Sequence, residues 1–310
     1  MKTNVYAKDG LLLRIGYACL TVGVPDTAIK SCLVKNASET RLRNLIAHNL
    51  NSLENIISYN GKNNIGLFRI SSGLIPFASH PINQIPWWEI YKAEFLQIGQ
   101  KIKANNIRVS MHPGQYTVLN SPFDEVVARA LADLEYHSLV LDSLGVGADH
   151  KIILHIGGVY NNKKTAMKRF IINFKRVSDS VKRRIVIEND DKSYNIKDVL
   201  EIASDLKIPV VFDKLHNDIN PADKRKSAID WIKVCRKTWR QKDGIQKIHY
   251  SQQHPDKKTG SHSESINLDE FYEFYGSLKR KDIDIMFEVK DKNISALNCL
   301  DYIKQKKSRD

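Results

Sequence analysis

Eight short runs of apolar residues recur along the chain, at 12–19, 65–71, 108–112, 151–156, 184–188, 209–212, 246–250 and 284–289. Several are β-branched and nearly all apolar, the pattern of strands covered on both faces. Between them the hydrophobic period lengthens. Leu42, Leu45, Ile46, Leu50, Leu53, Ile56 and Ile57 repeat at steps of three and four and make one amphipathic face. Further helices are expected near 87–104, 124–144, 163–181, 195–206, 223–239, 268–280 and 294–304. Ser121-Pro122 reads as an N-cap followed by proline at the first helical position, and Asn220-Pro221 as the same device ahead of the stretch near 223. Trp87-Trp88 reads as a pair of helix-packing aromatics.

Each of the eight strands is followed by a helix. Such alternation predicts a parallel sheet, and eight units predict a closed (β/α)₈ TIM barrel of the α/β class. An open doubly wound sheet would carry a phosphate-binding GxGxxG after the first strand; none stands there, and Gly157-Gly158 is only a tight turn. No Pro/Gly/Ser-rich linker divides the chain, so residues 1–310 read as one domain, with a core of about 12–304 between short polar tails.

Composition narrows the class. With 42% hydrophobic and 27% charged residues the chain is an ordinary globular protein, not a disordered, collagen-like or coiled-coil one. No apolar run reaches the ~18–20 residues of a membrane span, and the first ten residues are too polar for a secretory signal. Cys19, Cys32, Cys235 and Cys299 form no CxxC pair, which argues against a zinc ribbon or disulfide scaffold and for a reduced, cytoplasmic setting. Lys and Arg number 48 against 35 Asp and Glu, a net charge of +13. That surplus suits a polyanion such as nucleic acid, although a solubilising surface would look the same.

Barrels of this kind carry function on the C-terminal ends of their strands. Here six consecutive ends present His, Asp or Glu: His112 after the third, His155 after the fourth, Glu188 after the fifth, Asp213 and His216 after the sixth, His249 in the seventh and Glu288 after the eighth. His262 lies in the long polar loop, 251–266, that follows the seventh. One such residue is usually a cap or a surface group. Six in register would cost several kcal/mol each to bury without partners, and divalent metal ions remove that cost. Five imidazoles and three carboxylates suit Mn, Zn or Fe better than Ca or Mg, and eight ligands suit two or three ions. Lys247 shares a face with His249; it either pairs with a carboxylate, stays neutral, or is carboxylated to an anionic carbamate.

The motifs FRIS (68–71), SMHPGQY (110–116), HIGG (155–158), IEND (187–190), DKLH (213–216), KIHYSQ (247–252), HS (262–263) and EVKDK (288–292) together resemble the UV damage endonuclease family, in order and over nearly the whole chain. That family is similar to endonuclease IV and the xylose-isomerase-like barrels. The resemblance implies three metal ions, typically Mn²⁺ with Zn²⁺ or Mg²⁺ as alternatives. It implies cleavage of double-stranded DNA immediately 5′ of cyclobutane pyrimidine dimers, 6-4 photoproducts and some other lesions, abasic sites included, leaving a 3′-hydroxyl and a 5′-phosphate. The family's metal ligands map onto His112, His155, Glu188, Asp213, His216, His249, His262 and Glu288, and its carboxylated lysine onto Lys247. Glu188, Glu288, Lys247 and His249 are assigned to catalysis. Gln115 and Tyr116 map onto the lesion-probing pair, and Tyr17 onto a further DNA-contacting residue, although Ala18-Cys19-Leu20-Thr21 after it departs from the family pattern. Asn217 stands where members often carry a second histidine.

Arg69, Lys257, Lys258 and Lys290, with Lys192, Lys214 and Lys292, are expected to form a basic rim for DNA phosphates. The protein is expected to act as a monomer, since long DNA must reach the barrel top, in the cytoplasm and at the nucleoid, with no membrane partner. Two other readings compete: a sugar isomerase with one or two metals, and a binder of damaged DNA with a purely structural metal cluster.

Overall fold

The computed structural model describes residues 13–280 and 282–307. Leu12, expected in the first strand, the tail before it and residues 308–310 lie outside the described residues. All eight expected strands are present: β1 (Arg14–Ala18), β2 (Leu67–Ile70), β3 (Arg108–Met111), β4 (Ile152–His155), β5 (Ile185–Glu188), β6 (Val210–Asp213), β7 (Lys247–Tyr250) and β8 (Asp284–Phe287). Each pairs in parallel with the next, and β8 closes on β1, giving the expected TIM barrel.

Helices fill every crossover. α1 (Glu39–Lys62) follows β1; α2 (Trp87–Ile90) and α3 (Lys92–Ala104) follow β2; α4 (Asp124–Ser143) follows β3. α5 (Lys163–Phe174) and α6 (Asp179–Lys182) follow β4, and α7 (Ile196–Leu206) follows β5. α8 (Lys214–Ile219) and α9 (Ala228–Arg236) follow β6, α10 (Leu268–Ser277) follows β7 and α11 (Asn293–Lys307) follows β8. Trp87 is buried and packs on Trp88, Phe95 and Tyr136, as a helix-packing aromatic should. No helix among the described residues is long and apolar enough to cross a membrane.

Four local expectations need correction. The helix expected over 163–181 is two, because Ser178 caps a new one by accepting from Val181 N. Ser121 does not cap α4; its Oγ accepts from Phe123 N in a turn ahead of the helix. Asn220-Pro221 opens no helix, and α9 begins instead at the Ser227–Asp230 capping box. The helix expected near 87–104 is likewise two, with Tyr91 between α2 and α3; the DKLH motif, 213–216, opens α8, which Asp213 caps.

Side chains alternate across each strand. Ala18, Leu67 and Met286 form one small buried cluster, and Ile153, Val186 and Val211 another, both separate from the main core between sheet and helices. They are the apolar waist of the barrel interior. Two positions further along the same strands stand Arg69, His155, Glu188, Asp213 and Glu288, which therefore face the mouth. Two positions back stand Lys151, Arg184 and Asp284, at the lower end.

That lower end is locked by charge. Buried Arg108 donates to Asp284 Oδ2 at 2.7 Å, to Ile245 O at 2.5 Å, to Asp149 O at 2.6 Å and to Asp243 O at 2.8 Å. The bond to Asp149 supports the β3–β4 seam, where Met111 and Ile152 are the register pair. Lys151 pairs with Asp243 at 2.7 Å. Asp284→Asn should cost about 3–5 kcal/mol, because it strands a buried guanidinium, and Arg108→Met in the same chain should restore part of the loss. Denaturant midpoints decide this, and an unchanged midpoint for Asp284→Asn would exclude the pair as a main brace.

His150 adds a pH dependence. Its Nδ1 accepts from Val109 N at 3.0 Å, and burial pushes its imidazole down to about 4. Unfolded, it takes up a proton near pH ~6.5. Between those values the unfolded chain holds the extra proton, so stability is lost as pH falls through that window. Melting temperatures from pH 7 to 4 should fall less steeply for His150→Gln than for the parent; identical slopes would refute the assignment.

Candidate metal centre

Glu188, the last residue of β5, is the hub of the barrel mouth. Its Oε1 accepts from His249 Nδ1 at 2.7 Å and lies 3.9 Å from His216 Nδ1. Its Oε2 lies 3.3 Å from His112 Nε2 and 3.9 Å from His155 Nε2. Glu288 stands 3.2 Å from His249 Nδ1 and 3.9 Å from His262 Nε2. Asp213 Oδ1 accepts from His216 N at 2.8 Å and lies 3.7 Å from that ring's Nδ1. All eight expected ligands thus converge on one volume. Within it, His112, His155 and Glu188 form one set of donor atoms mutually within 4.8 Å, and Glu188, Asp213 and His249 another.

The strand frame explains the convergence. His155 is in register with Glu188, and Asp213 with His249. The cap of α8 then brings His216 back over the mouth, one turn after Asp213. Asn189, which the sequence reading passed over, fixes this corner. Its side chain donates to Asp213 O at 3.1 Å and accepts from Asp213 N at 3.0 Å, and its carbonyl accepts from His216 Nδ1 at 2.9 Å. Its place inside the IEND motif was the available signal. Gly157, at φ 110°, turns the chain tightly after β4; a Cβ there would meet Asn120 Oδ1 at 2.5 Å.

The donor set fits divalent metal. His112 Nδ1 donates to Pro113 O at 3.0 Å and His216 Nδ1 to Asn189 O, which leaves each Nε2 available, the usual arrangement of a ligating histidine. Glu188 Oε2, Asp213 Oδ2 and His249 Nε2 are buried without a hydrogen-bond partner. Buried polar atoms left unpaired are costly, and metal coordination would satisfy them.

Electrostatics separate these groups. Burial disfavours the Glu188 charge, but the imidazoles of His249 and His112 prevail and hold the carboxyl well below the usual carboxylate range. In Glu288, Arg69 and His249 likewise overcome burial and hold the carboxyl low. Burial pushes Asp213 up to about 7, reinforced by Glu188 and Glu288 and opposed by His216. Burial would lower His216, yet Asp213, Glu188 and Glu288 raise it to about 9. His155 is pushed down to about 4, chiefly by burial.

Lys247 lies two residues below His249, in register with Asp284, which is itself paired with Arg108. Its fully buried Nζ has no hydrogen-bond partner. Burial and the nearby Arg108 charge drive the ammonium well below the usual lysine range. Among the described residues no carboxylate pairs with it.

Other expected residues divide. Gln115 and Tyr116 project at the tip of the 112–117 turn, Tyr116 with 73% of its surface exposed. They border a cavity of about 500 Å³ whose wall includes Tyr160, Lys192, His155 and His216. Lys192, Lys258 and Lys290 are exposed, whereas Lys257 pairs with Glu264 at 2.7 Å and Lys214 with Asp218 at 2.7 Å. Lys292 is half-buried. Asn217 is buried beside the site. Two expectations are corrected. Arg69 is no rim residue: it shares the inward face of β2 and forms an ion pair with Glu288. Tyr17 is fully buried on the helix side of β1, its hydroxyl held by Thr21 and Asn60 at 2.8 Å each, and so cannot probe DNA from this position.

A family model described as UV-endonuclease UvdE matches residues 13–308. A UV DNA damage endonuclease of Clostridium perfringens (strain 13 / Type A) is 47% identical over 294 residues, covering 94% of this chain and 71% of that protein. One from Bacillus cereus (strain B4264) is 30% identical over 302 residues, covering 94% of each. The crystal structure of SacUVDE superposes with a TM-score of 0.89 at 40% identity, covering 94% of this chain and 98% of that one. A 3-keto-D-glucoside 4-epimerase from E. coli shares the fold alone, with a TM-score of 0.58 at 10% identity over 94% of this chain and 99% of that one.

Glu188→Gln tests the hub. It should lower Mn²⁺ affinity at least about 100-fold while the chain still folds. Equilibrium dialysis with elemental analysis, alongside circular dichroism, reads both; unchanged Mn²⁺ uptake would exclude this cluster as the metal site.

Proposed function

The chain belongs to the UV-endonuclease UvdE family, and from that premise we propose that this UV damage endonuclease is metal-dependent and hydrolyses the phosphodiester immediately 5′ of the lesion. The observation that carries this reading is the convergence of four imidazoles on the Glu188 carboxylate, beside the exposed Gln115–Tyr116 tip. The lesions are cyclobutane dimers, 6-4 photoproducts and abasic sites, and the products a 3′-hydroxyl and a 5′-phosphate.

His112, His155, Glu188, Asp213, His216, His249, His262 and Glu288 would hold up to three divalent ions, with Mn²⁺ the best match to this donor set. Such ions, when bound, supply an activated water at neutral pH and neutralise charge on the phosphate. The chain's own residues set the stage. Glu188 and Glu288 remain ionised at neutral pH. His249 links the two carboxylates through Nδ1. Burial disfavours the Lys247 ammonium, and the free amine at Nζ can add CO₂ with loss of one proton, giving a carbamate anion on the same inward face. The apolar waist formed by Ile153, Val186 and Val211 seals the site from below.

Recognition belongs to the tip. A crosslinked dimer pairs poorly and deforms easily, so extruding it costs less than extruding normal bases. Gln115 and Tyr116 fill the gap, the ring replacing lost stacking. Lys192, Lys258 and Lys290 stand exposed to meet phosphates, and a monomer leaves the mouth open to a long duplex. A neutral sugar would have no use for this tip or rim, which disfavours an isomerase.

The test is an end-labelled duplex carrying one cyclobutane dimer, with undamaged and abasic controls, in Mn²⁺. The expected product is a cut directly 5′ of the dimer with a 3′-hydroxyl. Tyr116→Ala should lower cutting of the dimer substrate by about tenfold or more, the worth of one stacked base. A cut confined to the abasic control would overturn the lesion assignment, and binding without cleavage would favour a structural role for the metal.

A further inference from the structure

Beneath the probing tip lies a buried polar bracket that none of the roles above uses. On the inward side of α4, Asp133 and Tyr136 are buried and His137 is fully so. Asp133 Oδ2 accepts from Thr117 Oγ1 at 2.6 Å, and its Oδ1 from Ser79 Oγ at 3.1 Å. His137 Nδ1 donates to Asp133 O at 2.6 Å, while its Nε2 lies 3.1 Å from Ser72 Oγ. Ser72 Oγ in turn donates to His112 O at 2.6 Å. Tyr136 OH donates to Ser72 O at 2.9 Å and accepts from Ile75 N at 3.2 Å.

The connections have a direction. The turn begins at His112 and ends at Thr117, and its two ends are tied to α4 by separate routes, one through Ser72 and one through Asp133. Thr117 N closes it on Gly114 O at 2.9 Å. Gln115 and Tyr116 stand exposed at the tip, and the Tyr116 ring lies so close over Gly114 that a Cβ there would meet it at 2.4 Å. A buried carboxylate and imidazole in mid-helix cost more than apolar residues would unless every partner is made. Here Thr117, and His112 through Ser72, draw on those partners from one surface turn.

We propose that Asp133 and His137 are positioning residues that fix the Gln115–Tyr116 tip relative to His112, so that lesion discrimination is set by a tip already held in its inserting geometry. The proposal rests on the lesion-probing reading given above. A turn ordered before contact loses less freedom on insertion, and sites gain accuracy from buried hydrogen bonds behind the contacting side chains. The bracket reaches the DNA only through the tip, so its effect must vanish when the tip is removed.

The experiment is a cycle of variants: Thr117→Val, Thr117→Ser, Tyr116→Ala and the Thr117→Val/Tyr116→Ala double. Fluorescence anisotropy gives the ratio of Kd for an undamaged duplex to that for the same duplex with one dimer. Thr117→Val should lower the ratio about tenfold, the worth of one hydrogen bond to a carboxylate, and Thr117→Ser should retain it. In the Tyr116→Ala background Thr117→Val should change nothing further. A ratio unmoved by Thr117→Val, or lowered equally with and without the Tyr116 ring, overturns the proposal. A ratio unmoved by Tyr116→Ala itself instead overturns the probing reading on which it rests. Should Thr117→Val fail to fold, Ser79→Ala removes the other donor to the same carboxylate and is judged by the same ratio.

Discussion

A carboxylate buried under four imidazoles is the constraint on which this molecule turns. Glu188 has almost no exposed surface, and an ionised group there would be prohibitive without compensation. The compensation comes from His112, His155, His216 and His249, which arrive from three other strand ends and from the start of α8. No local segment could supply them. Only a closed barrel, with its strand ends aimed at one volume, brings residues so distant in sequence within 4 Å of one carboxylate. The fold and the site are therefore one requirement seen at two scales.

The interior divides the work by depth. At the mouth, polar groups are held together with donor atoms still unpaired. At the lower end, Arg108, Asp284, Lys151 and Asp243 are also charged and buried, but they are matched to one another and to backbone carbonyls. Between them lies a thin apolar waist. Charge at the bottom closes the barrel; charge at the top is left open to a ligand. Lys247 occupies the boundary, below His249 and beside the Arg108–Asp284 pair, and burial there disfavours its charged form. Asp284, in register with it, is already paired with Arg14 and Arg108.

Much of this was legible in the chain. Apolar runs without polar alternation gave all eight strands, because a parallel barrel buries both faces of each. Residue type at the strand ends gave the eight candidate ligands. The misreadings have a common cause. The resemblance assigns Tyr17, and nearness to the C-terminal loops assigns Arg69; neither assignment uses strand parity. Gly16 and Ala18 occupy the inward side of β1, so Tyr17 must face the helices; Arg69 follows Leu67 on the inward face of β2 and must meet Glu288. Both placements follow from the period of two. The cap of α8 is different. Asp213 was read as a ligand, and its second duty, accepting from His216 N, depends on a local geometry that strand patterning does not encode.

The bracket under the tip was invisible for another reason. Asp133, Tyr136 and His137 sit in a helix whose pattern is otherwise amphipathic, where a polar residue on the inward side reads as a break in that pattern. Their meaning comes from Ser72, in the crossover before β3, and from Thr117, in the loop between β3 and α4. A barrel enzyme can vary the loops at its mouth because the strands fix where each loop begins. It can hold one loop rigid only by reaching it from a neighbouring helix. In this chain α4 reaches the 112–117 turn at both ends, and that turn carries a candidate metal ligand at its base and the exposed aromatic at its tip. The spacing between the candidate metal centre and the exposed Tyr116 is thereby tied to buried hydrogen bonds.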